Sequence, residues 1–173
     1  MTENRLGNLV RELQSITGDP RLGLPEDVFL YASRITPLVN VDLLIKDKVN
    51  GVLLTWRDDD YYDVGWHVPG GIIRYKETFS DRIYAVAWQE LGTSVTHDPE
   101  PIAINQVIHP TNTIRGHFIS LLFVCRLISP PAKTFAALDQ PKRGQFKWHK
   151  TCPDNLISVH NMYRPFLSFD FQP

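Results

Sequence analysis

Two rhythms of apolar positions run along this chain. The first has the three- and four-residue spacing of a helix: between residues 3 and 17, Leu6, Leu9, Val10 and Leu13 fall on one stripe. Gly18-Asp19-Pro20 ends that stretch, and Pro25 opens a second predicted helix over 25–34, where its missing N–H costs nothing in the first turn. The second rhythm has a period of two. Val39, Val41, Leu43 and Ile45 alternate with Asn40, Asp42, Leu44 and Lys46, which predicts a strand over 38–46. Asn50-Gly51 marks a turn into a strand over 52–57, hence a hairpin. Further strands are expected over 101–109, 117–127 and 145–149, with short closing helices over 153–156 and 161–169.

One predicted helix is better marked than the others. Thr78 can cap it, Asp81 stands three residues on, and Gly92 follows its last apolar residue. Phe79, Ile83, Val86, Ala87 and Leu91 form its apolar stripe. Ahead of it lies Pro69-Gly70-Gly71, whose glycines permit close approach of backbone or ligand. The unit is strand, glycine loop, extended segment, helix.

Composition narrows the field. A length of 173 residues favours one domain, and 43% hydrophobic residues exclude a disordered chain. The net charge of −1 lacks the basic excess that coating nucleic acid or an anionic membrane needs. A small anionic substrate needs only a local cluster and stays open. The best apolar run, Ile119 to Cys125, is interrupted by Ser120 and falls short of the roughly 20 residues of a membrane span. The first ten residues lack the basic-then-apolar pattern of a signal peptide. Cys125 and Cys152 have no third ligand nearby and read as reduced thiols, so a cytoplasmic protein is expected.

Residues 71–93, GIIRYKETFSDRIYAVAWQELGT, resemble a shortened Nudix box, G-x5-E-x7-R-E-U-x-E-E-x-G-U with U aliphatic. Gly71, Glu77, Glu90 and Gly92 fall on the pattern; Ala85, Val86 and Gln89 replace its Arg and two of its Glu residues. Carboxylates three or four apart share a helix face and hold Mg2+ against a diphosphate. With two of them gone, a single ion at Glu90 is the expectation. Gln89-Glu90-Leu91-Gly92, the leader Ser33 to Asp42, and Trp66-His67-Val68-Pro69-Gly70-Gly71 together are similar to the GDP-mannose mannosyl hydrolases of the Nudix superfamily.

That resemblance implies an α+β fold: a Nudix-like α/β/α sandwich with a mixed sheet over 25–173 and an N-terminal helical extension over 1–24. It implies a Mg2+ cofactor and a nucleotide-sugar substrate. Water attacks the anomeric carbon, and GDP leaves. By the same resemblance Gly70 and Glu90 hold the metal, Asp42 contacts substrate, and Arg57 stabilises the leaving group. A family-like homodimer built on the N-terminal helices is the expected assembly.

The chain also departs from that family. Ile72 and Ala85 stand where arginines are expected. An ungapped match puts Lys142 and Arg143 at a metal-binding Gln and a basic His; a small gap brings Gln140 to the metal instead. His109 and His117 are the candidate bases by intrinsic pKa. Arg115, Lys142, Arg143 and Lys147 are either phosphate contacts or surface cations, and Glu77 either a site residue or a first-turn acid. Two other readings compete: a catalytically impaired domain that binds nucleotide sugars, and a Nudix pyrophosphohydrolase.

Overall fold

The structure, a computed structural model, describes residues 2–168, with side chains from residue 4. Helices α1 (Thr2–Thr17) and α2 (Glu26–Ile35) precede β1 (Leu38–Asp47). Then follow β2 (Gly51–Arg57), β3 (Gly65–His67), β4 (Gly70–Ile72) and helix α3 (Phe79–Leu91). The remaining strands are β5 (Val95–His97), β6 (Ala103–Ile108), β7 (His117–Leu127) and β8 (Phe146–His149). A 3-10 turn over Ser158–Tyr163 and α4 (Arg164–Leu167) complete the described chain.

The eight strands form one mixed sheet. β1 runs parallel to β7 over Leu38–Ile45, while the other pairings between these strands are antiparallel. The second edge of β1 is divided. Asn40 to Asp42 pair with β4, and Lys46 and Asp47 pair with the start of β2. β2 then leaves β1 and takes β3 and β8 as partners. The sheet therefore splays between β1 and β2. Val68-Pro69 crosses the gap, tied to β1 by Leu43 N–H donating to the Pro69 carbonyl at 2.8 Å.

Strand parity sorts the core. Val41, Leu43, Ile45, Leu121 and Phe123 face α3, where Ile83, Val86, Ala87 and Leu91 meet them. Leu44, Leu122 and Val124 face the other way, under Leu156, Tyr163 and Leu167. Each such side chain taken fully out of water contributes roughly 1.5–3 kcal/mol. The result is the expected α/β/α sandwich with helices ahead of it.

The caps of α3 are those its sequence marks. Thr78 Oγ1 accepts from Asp81 N, and Asp81 accepts from Thr78 N in return. Gly92 ends the helix at φ 62°, where a Cβ would also lie 2.7 Å from that of Ala132. Residues 153–156 are a turn and not the expected helix. Backbone there serves β3: Trp66 N–H donates to Asn155 O, and Ile157 N–H donates to Trp66 O. The predicted helix over 161–169 is split into the 3-10 turn and α4; Phe169 lies outside the described residues. β3, β4 and β5 have three residues each, too few for a period of two to register.

Candidate active site

The gap between β1 and β2 opens into a cleft of about 340 Å3, within the range of small-molecule sites. Its floor is built from both faces of the sheet. Asp42 comes from β1 on the face covered by the C-terminal segment, and Glu90 from the last turn of α3 on the other. They meet at Gly70. Glu90 Oε1 accepts from Gly70 N–H at 3.3 Å, and a Cβ on Gly70 would lie 2.1 Å from Asp42 Oδ1. Only glycine lets β4 pass between the two carboxyls.

Glu90 is linked to two more buried groups. Thr55 Oγ1 lies 2.9 Å from Glu90 Oε2 and 3.0 Å from His67 Nε2, and His67 Nδ1 lies 2.8 Å from the Val68 carbonyl. A carbonyl only accepts, so Nδ1 carries the imidazole proton and Nε2 is an acceptor. Thr55 has one proton for two acceptors. The chain is complete only when Glu90 is protonated and donates to Thr55. Burial pushes the Glu90 carboxyl up to about 7, against the opposing bonds from Thr55 and Gly70. Burial likewise holds His67 down to about 4, so its ring is neutral.

Asp42 is held as firmly. Tyr163 Oη donates to its Oδ2 at 2.5 Å and Asn40 Nδ2 at 2.9 Å. Burial still dominates these bonds and raises its pKa to about 7. His160 closes this side of the floor. Its Nδ1 accepts from Val68 N–H at 3.1 Å, which leaves the proton on Nε2, and burial keeps the ring neutral at pH 7.

The opposite wall is cationic. Arg57, at the end of β2, donates from Nε to Asp59 at 2.7 Å and stacks on Tyr62, 4.5 Å from its centroid. Arg115 and Arg143 line the same cleft. A floor of hard oxygen donors facing guanidinium groups suits a metal-bound diphosphate. Mg2+ takes one or two carboxylates and fills its remaining positions with water and phosphate oxygens. Two carboxyls beside Gly70 fit that demand. Among the described residues no group of three or more His, Cys, Asp and Glu side chains is placed for a metal.

The structure thus brings Asp42, Arg57, Gly70 and Glu90 together. It leaves three sequence candidates outside the cleft. His117 shares its parity with Ile119 and Leu121, which face α3, and its Nε2 lies 3.1 Å from Gln106 Nε2. His109 accepts from Asn112 N–H through Nδ1 and so organises the loop before β7. Gln140 is exposed on the loop before β8. Glu77 is structural: both its oxygens lie 2.8 Å from the Arg82 guanidinium. His67 and His160 line the cleft and Tyr163 bonds Asp42; sequence reasoning missed all three. His67 lay next to the glycine loop, which was the available signal; Tyr163 had none.

No family model matches the chain. The haloarchaeal protein "Low-salt glycan biosynthesis protein Agl8" of Haloferax volcanii is 32% identical over 108 residues, covering 60% of this chain and 68% of that protein. Among solved structures, a MutT Nudix hydrolase from Burkholderia pseudomallei has a TM-score of 0.57 at 16% identity and covers 75% of this chain and 97% of its own. A Nudix hydrolase from Nitrosomonas europaea has a TM-score of 0.52 at 15% identity, with 77% and 80% covered. These structural likenesses show the fold alone, while the sequence match reaches further: the chain belongs to the family of this glycan-biosynthesis protein and has the Nudix hydrolase fold.

Proposed function

We propose that this chain is a Mg2+-dependent hydrolase of a nucleotide sugar of the GDP-mannose type, releasing a nucleoside diphosphate and the free sugar. The observation that carries this reading is the convergence of Glu90 and Asp42 on Gly70, with Arg57 across the same cleft. In the proposed step, the oxygen of water bonds to the anomeric carbon. The bond from that carbon to the diphosphate oxygen breaks, and its electron pair leaves with the diphosphate. Glu90 and the Gly70 carbonyl would hold Mg2+, which offsets charge on the departing group. Arg57 has its Nε committed to Asp59 and its remaining N–H groups available to the leaving oxygens. Asp42, with its pKa near 7, suits the proton of the attacking water.

The relative is named for glycan biosynthesis, and a nucleotide-sugar substrate suits a family with that role. Residues 25–173 make the catalytic unit in this proposal. The exposed Leu6, Leu9 and Val10 of α1 support a homodimer, and the two unpaired cysteines suit a reducing cytoplasm. Among the described residues no helix is long and apolar enough to cross a membrane.

Phosphorus NMR of GDP-mannose with the protein and Mg2+ tests the reading. GDP and free mannose are the expected products. GMP and mannose 1-phosphate would select a pyrophosphohydrolase instead. The absence of turnover of any nucleotide sugar would sink both. Full activity in Glu90→Gln would remove the metal assignment. One observation favours a second reading: both histidines expected as bases lie outside the cleft. Tight nucleotide-sugar binding without product would select that non-catalytic domain.

A further inference from the structure

We propose that Arg115, on the hairpin between β6 and β7 and braced by α2, is a second diphosphate-binding cation of this cleft. This rests on the diphosphate substrate proposed above and adds to it the residue and the element that recognise it.

Four observations converge on Arg115. It lines the cleft that holds Arg57, Asp42 and Glu90. Its Nε is buried and has no hydrogen-bond partner, and among the described residues no carboxylate lies at ion-pair distance from its guanidinium. An arginine keeps its charge at every working pH. A buried, charged N–H therefore stands without the acceptor that its desolvation calls for.

The backbone at Arg115 is also unusual. Its φ is 53°, in the left-handed region that side chains other than glycine rarely adopt. Two contacts hold it there. Arg115 N–H donates to Ser33 Oγ on α2 at 3.2 Å, and Tyr62 Oη donates to the Arg115 carbonyl at 2.5 Å. The guanidinium itself lies near two aromatic rings, Tyr61 at 4.7 Å and Phe29 of α2 at 5.5 Å from the centroids. Strain of this kind persists where surrounding structure over-determines it, and it clusters at ligand sites.

Charge supplies the ligand class. Arg57 is close enough to disfavour the charge of Arg115, and Asp59 is already bonded to Arg57. Arg57 and Arg115, with Arg143 lining the same cavity, ask for an anion with several oxygens and more than one negative charge. A diphosphate meets that requirement, and Ile72, which also lines the cleft, offers no cation. α2 is then a positioning element of the site, acting through Ser33 and Phe29.

Calorimetric titration of the full chain with inorganic pyrophosphate and Mg2+ tests this without reference to nucleobase or sugar. Arg115→Met is expected to weaken binding by about tenfold or more, the scale of a lost charge-assisted bond, and to flatten its salt dependence. Phe29→Ala is expected to weaken it in the same direction by a smaller factor. Arg126→Met, on the exposed pair with Asp98, is expected to change nothing. Thermal unfolding of each variant accompanies the titrations, and Arg115→Gln, with the same expected loss, answers the question if the Met variant does not fold. Wild-type affinity in Arg115→Met, or no pyrophosphate binding by the wild type, overturns the proposal. A wild type that binds pyrophosphate through Arg115 but turns over no nucleotide sugar sinks the hydrolase reading and leaves this one standing.

Discussion

Glu90 and Asp42 take their chemistry from burial beside one another. Both carboxyls have their pKa raised to about 7, and each must be ionised to do its proposed work. Saturating Mg2+ would hold Glu90 ionised, so kcat/KM is expected to follow the ionisation of Asp42, rising through about pH 7 and levelling off above it. A profile flat between about pH 6 and 8 would remove Asp42 from its role. The same shift is a stability statement. Because Glu90 is raised above its ordinary 4.5 in the folded state, its neutral form favours folding. That contribution is complete below about 4.5 and is lost as pH climbs to about 7. In chelator, Glu90→Gln should exceed the wild type in stability by on the order of 1–2 kcal/mol at about pH 8, and lose that advantage near pH 4.5. Denaturant melts at the two pH values measure it; an equal gain at both would contradict the assignment. Glu90 itself was legible in the sequence, from its place before Leu91-Gly92. Its partners Thr55 and His67 were not, because they lie 35 and 23 residues away and meet it only across the splayed sheet.

At the scale of elements, α3 was the clearest prediction, because every signal for it is local. Thr78 and Asp81 bond each other's backbone, Gly92 supplies the left-handed cap, and the apolar stripe has the helical period. Thr78→Ala is expected to cost about 1 kcal/mol and lower Tm by about 2–4 °C. Calorimetry that finds no change would show that packing alone holds the helix start. Residues 153–156 and the short strands β3 to β5 fall at the other extreme. Trp66 finds its backbone partners at Asn155 and Ile157, and no pattern near residue 66 announces a partner 89 residues later. Likewise β4 exists because Gly70 can pass between Asp42 and Glu90. Its two glycines read locally as a loop, and only the neighbouring strand makes them part of a sheet.

For the whole molecule, the two N-terminal helices separate in their roles. No described side chain of α1 is buried, and its apolar Leu6, Leu9 and Val10 face solvent. Removal of residues 2–18 is expected to leave a folded monomer in place of the proposed homodimer, since no described α1 side chain is buried within its own chain. Sedimentation of the truncated chain checks it; a dimer that persists would take α1 out of the interface. α2 is different: Ser33 is buried, and Phe29 and Ser33 reach the cleft-lining Arg115. The amphipathic periods of both helices are alike, so the sequence could place each helix but not distinguish a brace from a free arm.

The sequence by itself determined the alternating strands, the capped helix α3, the glycine loop and the carboxylate that follows it. All of these depend on residues within a turn or a hairpin of one another, where period, caps and φ preferences act directly. Only the tertiary structure decided the cleft. Parity on β7 turned His117 away, the gap between β1 and β2 let groups from both faces of the sheet meet, and the hairpin before β7 carried Arg115 in against α2. These outcomes depend on where distant strands pair, and on the low dielectric that their packing creates around Asp42, Glu90 and His67. Neither is a property of any local stretch of chain.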